Sequence, residues 1–292
     1  MPVLFLTGIP RSGTTWAAQA LAALTRARYV HEPFNAVVHT ELAQYEMVHM
    51  SARSCNRDFL RILDHKLRPH YPRRKLREFI LGRNIVCKDV HTGFAAECVQ
   101  RHLGARIVIL TRHPCATAAS WKAQGWIENF SCPLNVLLRQ PSLWPLVRQF
   151  ESHVCSSTNA FFQFGAYWGA MYHVFRRLAT GHPEWQWVNH EDLCRNPVPA
   201  FCKILETLKM PIRAKSTDFF RLHDRPPRPN EGAYETFRET RLEPERWKWI
   251  LSVDEAQGVL EGAKPFSPEV LLETDVEPKQ ENCLLRKGAE SR

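Results

Sequence analysis

Val3-Leu-Phe-Leu-Thr7 is a short, nearly unbroken apolar run, the pattern of a strand covered on both faces of its sheet. Gly8 to Gly13 interrupts it, and Thr14 to Leu24 continues as an alanine- and leucine-rich helix. The alternation then recurs along the chain. Further strands are expected at Ala27–His31, Ile85–Lys88, Arg106–Leu110 and Trp185–Val188. Helices are expected at Ala95–His102, from Pro114 onward, at Tyr167–Leu178, at Pro197–Leu208 and at Pro244–Leu260. Pro114 suits a first helical turn, where its missing N–H loses no intrahelical bond. Glu41–Leu81 reads mainly as helix, with a basic interruption at Arg68–Arg77 that carries two prolines. The fold class expected is α/β, a P-loop-like three-layer fold with a central, mostly parallel sheet flanked by helices.

Neither an internal repeat nor a clear linker appears, so residues 1–272 are expected to form a single domain, with 273–292 a polar, flexible tail. Lys and Arg outnumber Asp and Glu by 39 to 30, a balance that suits an anionic ligand. The basic residues do not gather into a stripe with interleaved aromatics, which argues against nucleic acid as partner. The nine cysteines have no Cys-x-x-Cys spacing and the histidines are dispersed, so no metal site is expected and most thiols are expected to be reduced. Met1-Pro2 leads straight into a strand without a basic leader, and no apolar run approaches 18 residues. A cytoplasmic protein is expected if Met1 is the natural start.

The loop Gly8-Ile-Pro-Arg-Ser-Gly-Thr-Thr-Trp16 lies between the first strand and its helix. Unpaired amides at a helix start and the helix dipole attract anions there. Gly13 allows close backbone approach, Ser12, Thr14 and Thr15 offer hydroxyls, and Arg11 adds a fixed positive charge. Gly8, Gly13 and Thr15 match the Walker A pattern, but Thr14 stands where its lysine would be. A P-loop kinase of a small metabolite, the alternative reading, loses a main contact to the β- and γ-phosphates by that change.

Pro10-Arg11-Ser12-Gly13-Thr14-Thr15, with Trp16 following, resembles the phosphosulfate-binding loop of the sulfotransferase superfamily. A second segment, Ile107-Val-Ile-Leu-Thr-Arg112 running on to Ser120, is similar to the family's second motif. There an arginine and a serine eight residues apart hold the nucleotide's 3′-phosphate, and strand ends in open α/β sheets face a shared crevice. Val188-Asn-His-Glu-Asp-Leu193 with Asn196-Pro197 is a weaker echo, with His190 in place of a tyrosine and with Glu191 and Asp192 favoured as structural. The loop and a Glu-Pro pair are closer to carbohydrate- and tyrosylprotein-type members than to cytosolic small-molecule ones. The small-molecule enzymes' C-terminal Arg-Lys-Gly segment is absent, and Arg225, Arg228, Arg238 and Arg241 are possible substitutes for its charges.

The resemblance implies 3′-phosphoadenosine 5′-phosphosulfate (PAPS) as sulfuryl donor, adenosine 3′,5′-bisphosphate (PAP) as product, no metal, and in-line transfer to a hydroxyl acceptor. Arg11, Ser12, Gly13, Thr14, Thr15 and Trp16 would hold the 5′ end, and Arg112 and Ser120 the 3′-phosphate. Arg11 would stabilise charge on the moving group. Glu32, in Val30-His-Glu-Pro-Phe34, ranks first as general base, and His91, in Lys88-Asp-Val-His91, is its rival. Residues 126–168, rich in aromatics, are the expected cover of an acceptor pocket, although most of those side chains also suit a core. The acceptor (glycan, lipid, phenol or peptide) and the oligomeric state stay open.

Overall fold

Strand β1, Val3–Gly8, is buried at every position and lies at the centre of the sheet. The structure, a computed structural model, describes residues 2–67, 84–127, 137, 140–213, 216–225 and 239–266. The other strands are β2 Arg28–His31, β3 Ile85–Lys88, β4 Arg106–Thr111 and β5 Gln186–Asn189. They run in the order β2-β3-β1-β4-β5, and every pairing is parallel.

Alternation along the strands divides the core in two, because successive side chains point to opposite faces. Val3, Phe5, Ile85, Cys87, Ile107 and Ile109 belong to one apolar cluster. Leu4, Leu6, Val86, Val108 and Leu110 belong to the other. Each fully buried Leu, Ile or Phe contributes about 1.5–3 kcal/mol relative to exposure, which is why the strands are so uniformly apolar.

Helix α1, Thr14–Thr25, covers the second cluster. Helices α2, Arg57–Leu67, α3, Ala96–Leu103, and α4, Pro114–Lys122, cover the first. Next come α5, Ala160–Thr180, the short α6, His190–Arg195, then α7, Pro197–Thr207, α8, Ser216–His223, and α9, Val253–Ala263. Helices α5 and α9 join the first layer, while α6 and α7 join α1. The expected three-layer α/β fold is what forms.

Helix α9 crosses α5 at backbone contact. A Cβ on Gly165 would stand 2.0 Å from the Val259 carbonyl oxygen, and one on Gly262 would stand 2.1 Å from that of Phe162. Lys122 at the end of α4 bonds the Glu255 carboxylate at 2.7 Å, which ties α9 to α4 as well.

Several expected elements differ. Within Glu41–Leu81, the described part is a 3-10 turn at Thr40–Tyr45 and helix α2, with irregular chain between, and 68–83 lies outside the described residues. That irregular chain makes isolated local turns and also bonds distant backbone: Met47 N–H donates to the His91 carbonyl at 2.6 Å and Met50 N–H to that of Phe94 at 3.3 Å. Pro244–Leu260 is two pieces, a 3-10 turn at Arg246–Trp249 and α9, because Ser252 caps α9 with Glu255 in a reciprocal box. Helix α5 begins seven residues before Tyr167, capped by the Asn159 side chain on the amides of Phe161 and Phe162. Cys55 and Cys98 form a disulfide that their spacing did not reveal, and Cys87, Cys115, Cys155, Cys194 and Cys202 are unpaired. The 273–292 tail lies outside the described residues. No described helix is long and apolar enough to cross a membrane.

Candidate nucleotide and acceptor site

Two strands decide where a site can form. Helix α1 leaves β1 toward β2 on one side of the sheet's centre, and the chain leaving β4 goes toward β5 on the other. A crevice opens at such a switch point, at the carboxyl ends of β1 and β4. A cavity of about 1220 Å³ lies there, walled by Arg11, Gly13, Thr14, Thr15 and Trp16 from the first loop and by Arg112 and Ser120 from the second.

Gly8 makes the loop possible. Its φ is 149°, and a Cβ there would stand 2.0 Å from the Leu110 carbonyl oxygen of β4. Gly13, φ 83°, caps α1, and a Cβ on it would strike the His190 ring at 2.3 Å. Ser12 N–H turns back to the Ile9 carbonyl at 3.1 Å, while the Pro10 carbonyl accepts from the Trp121 indole at 3.4 Å. Helix α1 starts at Thr14, so its first-turn amides have no intrahelical acceptor. Thr14 and Thr15 line the cavity. Ser12 does not: it is fully buried, and its hydroxyl oxygen has no hydrogen-bond partner among the described residues. Trp16 touches the cavity but chiefly packs edge-on against His190 and Phe201.

The two motifs meet directly. Arg11 Nε donates to Ser120 Oγ at 3.1 Å, across 109 residues of chain, and the Arg11 guanidinium lies 5.5 Å from the Trp126 ring centre. Arg11 holds φ 70°, a left-handed conformation that costs a non-glycine residue about 1–3 kcal/mol. Arg112 reaches the Arg11 carbonyl at 3.5 Å and forms an ion pair with Glu243 at 3.2 Å, and its buried Nε has no partner among the described residues.

On the other wall, at the ends of β2 and β3, Glu32, Lys88 and His91 form a charge cluster. Glu32 also has positive φ, 40°. Its carboxylate pairs with the buried Lys88 ammonium, accepts from Asn35 Nδ2 at 2.9 Å, and lies 3.7 Å from His91 Nε2. His91 Nδ1 is 3.0 Å from Glu46. Partial burial alone would raise the Glu32 pKa, but the His91 hydrogen and the Lys88 charge overcome it and hold the carboxyl well below the usual range. Burial likewise works against the charged form of His91, yet the two glutamates flanking it raise its pKa to about 9.

Fully buried Asp89 sets this geometry. It accepts from the Phe34 amide on one oxygen, and on the other from the His91 and Thr92 amides and the Thr92 hydroxyl, so it joins the loops after β2 and β3. An aspartate two residues before its bonded amide is an Asx turn, legible in Lys88-Asp-Val-His91.

His190 is buried beneath Gly13 and kept neutral by desolvation, with the Arg112 charge adding to that, and Glu191 accepts from the His113 amide. Both therefore support the loops. Of the basic residues expected to replace the missing C-terminal charges, Arg228 and Arg238 lie outside the described residues, and Arg225 and Arg241 are not on the cavity wall. Arg246 is, together with Glu243 and Trp247. Sequence reading missed Glu46, Glu243 and Arg246, because nothing local marks them. Of the proposed acceptor cover, Trp126 and Tyr167 line the cavity, residues 128–136 lie outside the described ones, and Phe164 and Trp168 are core. Among the described residues no His, Cys, Asp or Glu group could hold a metal ion.

No family model matches the chain, and no curated protein matches it. Solved structures do. Mouse sulfotransferase SULT7A1 complexed with PAP is 14% identical over 94% of this chain and 86% of that one, with a TM-score of 0.47. The sulfotransferase domain from the curacin biosynthetic pathway is 12% identical over 89% and 96%, TM-score 0.46. The sulfotransferase domain from the Synechococcus PCC 7002 olefin synthase is 15% identical over 89% and 93%, TM-score 0.43.

Proposed function

We propose that the chain is a sulfotransferase that moves a sulfuryl group from PAPS to a hydroxyl acceptor and releases PAP. The observation that carries this reading is the single cavity that joins the Gly8–Trp16 loop to Arg112 and Ser120, with Arg11 and Ser120 in hydrogen-bond contact. A 5′ anion suits the amides and hydroxyls at the start of α1. A 3′-phosphate suits Arg112, whose buried Nε is a donor unused among the described residues.

In the reaction the acceptor oxygen forms a bond to sulfur as the bond from sulfur to the 5′-phosphate oxygen breaks. The acceptor's proton goes to Glu32, which is ionised and therefore able to accept it. His91, an imidazolium at neutral pH, lacks the lone pair a base needs, so its part is to orient Glu32 and supply positive charge. Arg11, turning from Ser120, and Lys88 would face the equatorial oxygens of the moving group. An anionic donor drawing Lys88 toward itself would leave Glu32 more basic.

The cytoplasmic location read from the sequence is also a proposal, and the Cys55–Cys98 disulfide weighs against it, since reducing compartments keep such pairs as thiols. Thiol titration of protein from its native source, with and without reductant, distinguishes the two.

Calorimetry with PAP against ATP plus magnesium tests the main reading. The expected result is PAP binding that Arg112→Ala weakens at least tenfold, with 5′-AMP affinity changed far less. Tight ATP–magnesium binding without a response to PAP would make the chain a kinase instead.

A further inference from the structure

Arg112 is not waiting with an empty fork. Its Nη2 lies 3.2 Å from the Glu243 carboxylate and 3.4 Å from the Glu243 carbonyl oxygen. The other carboxylate oxygen of Glu243 accepts from Arg246 at 2.9 Å. Glu243 is seven-eighths buried, Arg112 nine-tenths, and both line the nucleotide cavity with Arg246. One carboxylate thus bridges two guanidinium groups at the place where the 3′-phosphate reading puts a ligand anion.

The charges do not allow both anions to stay. With Glu243 bound, the two arginines retain a net charge of about one. A 3′-phosphate brings about −1.5 to −2. Adding it beside Glu243 would leave excess negative charge in a desolvated crevice, which is strongly unfavourable. With Glu243 turned outward, the two guanidinium groups and the phosphate balance.

Such a turn would be one of the Glu243 side chain on a held backbone. Glu243 lies between two short 3-10 turns, Thr240–Leu242 and Arg246–Trp249. The second is held by Trp247, which stacks on His113 at 5.1 Å, and the first by the Thr240 amide on Asp224 at 2.8 Å. The segment is pinned on both sides of Glu243.

We infer that Glu243 is a resident counter-anion that the nucleotide's 3′-phosphate displaces from Arg112, so that Glu243 restrains the affinity for 3′-phosphorylated nucleotides and, once displaced, leaves Arg112 and Arg246 to hold the phosphate. This rests on the nucleotide reading above. A ligand that must first displace an internal competitor binds with an affinity lowered by the fraction of protein already open. A nucleotide lacking the 3′-phosphate escapes that penalty.

The test is calorimetry of wild-type protein and Glu243→Gln with PAP and with 5′-AMP. The expected result is PAP bound on the order of tenfold more tightly by the variant, about 1.4 kcal/mol, with 5′-AMP unchanged. Unchanged or weaker PAP binding would mean that Glu243 orients Arg112 rather than competing for it, and equal tightening of both nucleotides would make the effect nonspecific; either overturns the inference. Glu243→Ala, which also removes the carboxylate, serves if the first variant does not fold. Wild-type protein that binds no PAP overturns the nucleotide reading, and this inference with it.

Discussion

At the residue scale, the site's chemistry turns on how Glu32, Lys88 and His91 share charge. Sequence reading found all three and ranked Glu32 ahead of His91 as base, but the charge state of each was not legible, because it depends on neighbours from other elements. Glu46 approaches His91 from a segment 45 residues away, and Asp89 fixes both loops. His91 is raised to about 9, so it stays protonated through neutral pH and loses its proton only as pH climbs through that value. With Glu32 as base and His91 as its cationic partner, kcat should be flat near neutrality and fall above about pH 9. That limb should vanish in His91→Gln, which keeps a hydrogen-bond donor without a titration. A kcat that rises through pH 9 in wild-type protein would instead make His91 the base. Glu32→Gln should keep PAP affinity within about twofold and lower kcat by roughly 10²–10⁴-fold, the usual worth of a general base.

At the scale of elements, the strands were legible because each is a short apolar run, and all five fall within a residue of where periodicity puts them. The helices were less so. Asn159 and Ser252 are ordinary N-cap residues, so the starts of α5 and α9 were readable but were passed over in favour of the surrounding apolar pattern. The chain between Tyr45 and Arg57 was not readable, since Met47 and Met50 take their backbone partners from the chain after β3 and the segment's helical composition loses to those bonds. The crossing of α5 and α9 was equally hidden: Gly165 and Gly262 look like weak points in helices until the two backbones are seen in contact. Gly262→Ala should therefore destabilise, although alanine is the better helix former. A Cβ 2.1 Å from a carbonyl oxygen forces the helices apart, and a loss of roughly 2–4 kcal/mol is expected in a denaturant titration. A variant as stable as wild type would show that α9 does not pack this closely.

At the scale of the whole molecule, the site is assembled from almost the full length of the described chain. Arg11 comes from the first loop, Glu32 and His91 from the loops after β2 and β3, Arg112 and Ser120 from the end of β4 and from α4, and Arg246 from the segment just before α9. Residues this far apart in sequence share one cavity only while the sheet and both helical layers stay together. A ligand that binds the folded form alone therefore stabilises all of it, by about 2.7 kcal/mol at a hundred times its Kd. For a chain of this size that corresponds to a Tm rise of roughly 4–5 °C. Thermal unfolding with PAP should show one transition moved upward as a whole, and 5′-AMP at equal multiples of its own Kd should move it equally. Two transitions, only one of them responsive to PAP, would contradict the single domain read from the sequence. They would also separate the C-terminal segment bearing Glu243 and Arg246 from the cooperative unit that holds Arg112. A single transition keeps the competing carboxylate and the arginine it covers within one folding equilibrium, which is the condition for Glu243 to regulate nucleotide binding without unfolding anything.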